Sequence, residues 1–159
     1  MSVVACIEDT ESKLYRVIVD RLLRVYGPLD ALGLPDLEEV ADLVDNAAPE
    51  ASYTPHVARD LDYDIGRIRY FADVLRAGGF VDPIEIDNDW WGKSFAGVVL
   101  VDGHHRLLGA FFAGAKTISA TYGGIVNVLD WLTGDLEEWP VEEIKILGAR
   151  VNNVVRRLL

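Results

Sequence analysis

Apolar positions along the chain repeat with two periods, one helical and one alternating, and their succession predicts the elements. From Glu11 to Tyr26, the residues Leu14, Val17, Ile18, Leu22 and Val25 follow helical spacing, and Gly27-Pro28 stops the run. A second helix is expected from about Pro35 to Val44, with proline early and acids in the first turn. Asn46 to Pro55 (NAAPEASYTP) holds two prolines, small residues and no period, which marks a linker. Asp64 to Ala77 is the next helix, with Ile65, Ile68, Phe71 or Ala72, and Leu75 as its apolar stripe and Gly78-Gly79 closing it.

Beyond that point the period changes. Phe80 to Ile86 (FVDPIEI) alternates around Ile84 and Ile86, with Pro83 at the start or edge of a strand. Asp87 to Gly97 is a polar, aromatic, hairpin-like connection, and Val98 to Val101 is a continuous apolar run, as in a strand buried on both faces. Asp102-Gly103 turns the chain into a helix from His104 to Ala113, which ends at Gly114. Thr117 to Thr121 reads as a third strand broken by Gly123-Gly124, Ile125 to Leu132 as a short helix, and Val141 to Leu159 as a last one. Trp131 and Trp139 read as core or interface residues. The fold class is α/β in the α+β sense: a small mixed sheet flanked by helices. A helical N-terminal extension (1–50) precedes a mixed core (51–125), and C-terminal helices (126–159) pack on that core.

Composition narrows the functional classes. The 159 residues suit one domain with an appendage. No apolar run reaches the roughly 18 residues that cross a bilayer, and the first residues lack the basic start of a signal peptide. Cys6 is the single cysteine, so no internal disulfide forms, and a cytoplasmic location is expected. The net charge of −11 argues against DNA, because non-specific DNA affinity is mostly phosphate neutralisation. Arg67, Arg69 and Arg76 read as one helix face, and Arg150, Arg156 and Arg157 as an exposed tail.

The candidate chemistry lies in VVLVDGHHR, Val98 to Arg106. A strand, a glycine turn and a helix start hold anions well, because free N–H groups and the helix dipole converge there. Gly103 suits a backbone with positive φ or the close approach of a ligand. Arg106 lies one turn into the helix, where a guanidinium clamps phosphate oxygens, and His104 and His105 add donors. Asp102 can cap the helix, hold Mg²⁺ or accept a proton from a nucleophile. Adjacent helical residues point about 100° apart, so the two histidines do not chelate a metal together.

At these residues the chain resembles the ParB/sulfiredoxin superfamily. The matching segments are Gly79 to Ile86 (GFVDPIEI), Gly103-His104-His105-Arg106, and Ala113 to Ile118 (AGAKTI), within roughly Ala58 to Tyr122. Val101 to Arg106 (VDGHHR) is similar to the form in ADP-dependent free-serine kinases. That resemblance implies a catalytic Asp102, with nucleotide phosphate bound by Gly103, His104, His105 and Arg106. It also implies a nucleoside di- or triphosphate with Mg²⁺, and a small-molecule or protein acceptor. The activity implied is phosphotransferase or nucleotide hydrolase. Two departures shape the reading. His104 stands where sulfiredoxins carry cysteine, and Val57 stands where the kinases carry glutamate, in Thr54-Pro55-His56-Val57.

Trp90-Trp91 forms an unusual pair in a polar loop, packing on the domain's own core or a homodimer contact, or gripping a partner or a base. With His56, the pair makes up the candidate substrate or partner contacts. The competing functional class is a non-catalytic acidic interaction module using Trp90-Trp91. A DNA-binding or nuclease role is the third.

Overall fold

The computed structural model describes residues 13–48, 60–87 and 98–140, and the backbone of 6–7, 89–90 and 93–94. Within them lie seven strands and six helices in an α+β arrangement. The strands are β1 (Cys6–Ile7), β2 (Tyr15–Ile18), β3 (Ile84–Asp87), β4 (Asp89–Trp90), β5 (Lys93–Ser94), β6 (Leu100–Asp102) and β7 (Thr117–Ile125). The helices are α1 (Val19–Val25), α2 (Pro28–Leu32), α3 (Leu37–Asn46), α4 (Leu61–Arg76), α5 (His104–Phe112) and α6 (Val126–Thr133).

The main sheet is mixed and centred on β7. Ala120 pairs with Tyr15 of β2 on one edge and with Ile84 of β3 on the other. The β2 pairing is antiparallel and the β3 pairing parallel, while β1 continues along β7 from Ile125. β6 pairs antiparallel with β3, so it forms the sheet's outer strand in the order β1-β7-β3-β6. Parallel neighbours need a crossover, and between β3 and β7 it runs through β6 and α5. β4 and β5 form a separate antiparallel pair, consistent with the hairpin-like connection expected there.

Four sequence expectations are corrected. The helix expected from Glu11 starts only at Val19. Tyr15–Ile18 is extended instead, because its aromatic and β-branched residues alternate about a fully buried Val17 and complete β7. The strand of the VVLVDGHHR segment is not buried on both faces: Val98 and Leu100 face the core, whereas Val101 is 42% exposed. One face of β6 is thus covered and the other open to solvent at Val101. Gly123-Gly124 does not break β7, which runs on to Ile125 through pairings at Asp87↔Gly123 and Ile7↔Gly124. Gly27-Pro28 ends α1 as expected, but Pro28 then starts the unforeseen α2 as its first residue. The expected final helix from Val141 lies outside the described residues, as does most of the linker.

Two apolar cores meet at α5. Leu107 and Ala110 face the sheet core of Val17, Ile84, Ile86, Ala120 and Tyr122, to which α6 adds Val128, Leu129, Trp131 and Leu132. Leu108 faces a second core, of Val40, Val44, Ile65 and Ile68 from α3 and α4. Each buried Leu, Ile or Val among them contributes about 1.5–3 kcal/mol of transfer free energy, so Leu107 and Leu108 anchor α5 on both flanks. Gly109 permits the close α4–α5 crossing, since a Cβ there would lie 2.6 Å from Phe71 Cβ and 3.0 Å from the Ala72 nitrogen. Trp131 is buried and meets Trp139 edge-on at 4.8 Å. Among the described residues, no helix is long and apolar enough to cross a membrane.

Candidate functional site

The Asp102–Arg106 turn joins the outer strand β6 to the N-terminus of α5. Gly103 takes φ 105°, a region that favours glycine, and begins the helix with no side-chain cap. Asp102 is therefore not the helix cap that its position allowed. The close approach at Gly103 is made by the neighbouring strand: a Cβ would lie 2.5 Å from Ile84 Cγ2 and 3.2 Å from Ile84 Cα.

The three residues that follow reach three different elements, as helical neighbours about 100° apart must. His104 Nε2 lies 2.6 Å from the hydroxyl of Tyr26, just past α1, with the rings tilted at 5.6 Å. Burial raises the Tyr26 phenol above its ordinary pKa of 10.0. His105 Nε2 lies 2.7 Å from Asp64 Oδ1 of α4, both side chains being 12% exposed. An ionised Asp64 only accepts, so this nitrogen of His105 carries the proton. The Tyr63 ring stands perpendicular to the same imidazole at 6.0 Å.

Arg106 is a strut. Its Nη1 donates to the carbonyls of Asp82 (2.9 Å) and Pro83 (2.6 Å), pinning the segment that leads into β3. Its Nη2 donates to Asp102 Oδ2 at 2.9 Å, and the Asp102 side chain is 72% exposed. The guanidinium expected to clamp phosphate is thus committed to the protein.

A different arginine lines the cleft. Gly103, His104, His105 and Arg106 enclose a polar cavity of about 90 Å³ with Asp102, Leu32, Phe71 and Arg67. The Arg67 guanidinium lies 5.0 Å from the Phe71 ring centre and 5.9 Å from that of Tyr63, so the two rings of its own helix hold it at this wall. The first N–H groups of a helix have no partner within it, and α5 brings that end to the same cavity. A single water needs roughly 10–15 Å³ of such space, so the cavity has room for a group of phosphate size.

Asp102, Gly103, His104, His105 and Arg106 therefore share one site, and Arg67, Asp64 and Tyr26 belong to it; the sequence places Arg67 on a helix face, Asp64 at a helix start and Tyr26 at a helix end. Asp64 carried a signal: it falls on the apolar stripe of α4, four residues before Ile68, where a carboxylate needs a buried partner. Arg67 carried a weaker one, its position four residues from both Tyr63 and Phe71. Tyr26 carried none. His56 and Trp91 lie outside the described residues, and Trp90 is placed only as backbone within β4. Among the described residues, no three His, Cys, Asp or Glu side chains form a metal-binding group. Such a group is not what Mg²⁺ requires beside a phosphate, where one or two carboxylates suffice. The exposed Asp102 meets that requirement.

No known family, curated protein or solved structure matches the chain.

Proposed function

We propose that the chain binds a nucleoside di- or triphosphate at the Asp102–Arg106 turn, with Mg²⁺, and transfers or hydrolyses its terminal phosphoryl group. On this reading the chain is a ParB/sulfiredoxin-like protein, as the VDGHHR resemblance implies. The observation that carries it is the N-terminus of α5, begun by Gly103, which has no side chain to cap it, ending beside Arg67 at a polar cavity with room for a phosphate group.

The division of labour differs from that expected of the sequence. Backbone N–H groups of the first turn of α5 and the Arg67 guanidinium would bind phosphate. His104, His105 and Arg106 would hold the turn in place. Phosphoryl transfer relies chiefly on positioning and electrostatic stabilisation, which such a rigid turn supplies. Asp102 would orient an acceptor hydroxyl or water, or hold the metal against the phosphates.

The test is thermal denaturation with ATP, ADP, CTP, GTP and pyrophosphate, each with Mg²⁺. A ligand at a hundredfold excess over its Kd stabilises by about 2.7 kcal/mol, which raises Tm by ~5 °C or more in a domain of this size. Arg67→Ala is expected to remove most of that shift. No shift with any of these ligands overturns the proposal.

A further inference from the structure

The phosphate-sized cavity opens beside a larger one. A groove of about 450 Å³ runs between α4 and the segment after it, walled by Tyr70, Phe71, Val74, Phe80 and Val81, with Asp82 at one end. Arg67, Phe71, Asp102 and Arg106 line both spaces, so the two are continuous across the Arg106–Asp102 ion pair. The smaller space is polar. The larger has the size of an ordinary small-molecule site, roughly 300–1,000 Å³.

Phe80 is the unusual wall. It follows Gly78-Gly79, lies outside any strand and is 97% exposed, the most exposed of the large apolar side chains described. It contributes almost nothing to either core. A phenyl ring held in water beside a groove with aromatic residues on its α4 side suits a flat ring that stacks on it. Asp102 is paired with Arg106, so the carboxylate at the far end of the groove is that of Asp82. A carboxylate accepts a hydrogen bond from an exocyclic amino group and repels a ring carbonyl.

Resting on the phosphate reading above, we infer that this groove is the base subsite of the same ligand. It holds a nucleobase bearing an exocyclic amino group, stacked on Phe80, while the phosphates lie at the α5 N-terminus. The ligand is a free nucleotide, since a chain of net charge −11 repels a polynucleotide.

The experiment is isothermal titration of the full chain, with Mg²⁺, using ATP, CTP, UTP and tripolyphosphate against wild type, Phe80→Ala and Asp82→Asn. Stacking predicts that ATP and CTP bind roughly tenfold or more tighter than tripolyphosphate. Phe80→Ala should remove that advantage and leave tripolyphosphate binding as it was. Because Phe80 is exposed, this variant keeps the fold. UTP should bind more weakly than CTP in wild type and equally in Asp82→Asn. Tripolyphosphate binding as tightly as ATP, or an undiminished ATP advantage in Phe80→Ala, overturns the base subsite and leaves the phosphate reading standing. UTP binding as tightly as CTP overturns the amino-group preference. Binding by none of the four overturns both readings.

Discussion

His105 and Asp64 meet at 2.7 Å across the α4–α5 contact, each side chain 12% exposed, and this pair ties the N-terminal end of α5 to α4. Removing the carboxylate takes away the acceptor that Asp64 gives this buried imidazole N–H. Losing one partner of a buried hydrogen bond costs about 1–3 kcal/mol, towards the upper end for a charged group. Asp64→Ala is therefore expected to lower stability by about 2–3 kcal/mol, and Asp64→Asn, which keeps an acceptor oxygen, by less. Urea denaturation of the two variants beside wild type checks this. Equal stability in all three would show that the pair holds nothing in place.

Gly103 and Gly33 separate the two reasons for which a chain needs glycine. Both have positive φ, 105° and 67°, but a Cβ on Gly33 meets nothing within 4 Å, whereas on Gly103 it meets Ile84 at 2.5 Å. Gly33→Ala is expected to cost about 1 kcal/mol, the ordinary price of a left-handed alanine. Gly103→Ala adds a backbone-level collision with a core strand and is expected to cost at least 3 kcal/mol, in the range of severe overpacking. Thermal denaturation decides it. Similar losses at both positions would mean that β3 yields to the added methyl.

These positions also mark how far the sequence could be read. The long helix α4, the turn at Asp102-Gly103 and the start of α5 were legible because period and glycine placement are local signals. Tyr15–Ile18 was not, since its residues fit the helical spacing of Glu11–Tyr26 and only the distant β7 makes them a strand. The solvent-facing side of β6 was hidden for a related reason: an apolar run does not reveal that one face of the strand is left uncovered at Val101. At the site, the clustering of Asp102 to Arg106 was visible, but their partners were not. Tyr26, Asp64 and Asp82 lie 78, 41 and 24 residues away from the residues they bind, and spacing carries no information at that range. Arg106 resembled a phosphate clamp because nothing nearby in sequence announced the Asp82 and Pro83 carbonyls.

Tyr26 gives the protein an alkaline limit. Burial raises its phenol above 10.0, so the folded state keeps the proton that the unfolded chain begins to lose near that value. The stability linked to this group is fully present below pH 10 and declines as pH rises through the folded-state value. Ionisation also removes the hydroxyl proton available to His104 Nε2 at 2.6 Å. The urea midpoint is expected to fall between about pH 9.5 and pH 11, and the fall should be shallower in Tyr26→Phe. Parallel curves for the two proteins would place the alkaline loss elsewhere.

Asp102 and Arg106 share an ion pair but differ in what depends on it. The Asp102 carboxylate is 72% exposed, and pairs at such positions contribute 0–1 kcal/mol at most. Arg106, 12% exposed, also holds the carbonyls of Asp82 and Pro83 and so fixes the wall of the groove beside α4. Asp102→Asn is expected to melt within ~2 °C of wild type and, on the proposed function, to bind nucleotide with unchanged or somewhat higher affinity, one negative charge having left the proposed phosphate site. Its phosphoryl turnover should fall by about 10²-fold or more, the usual contribution of a general base. Arg106→Lys, which replaces a planar fork with a point charge, should lose stability and nucleotide binding together. Calorimetry and a phosphate-release assay on both variants separate these roles. Turnover retained in Asp102→Asn would make the turn a binding device alone, and a stable, nucleotide-binding Arg106→Lys would show that the strut is dispensable.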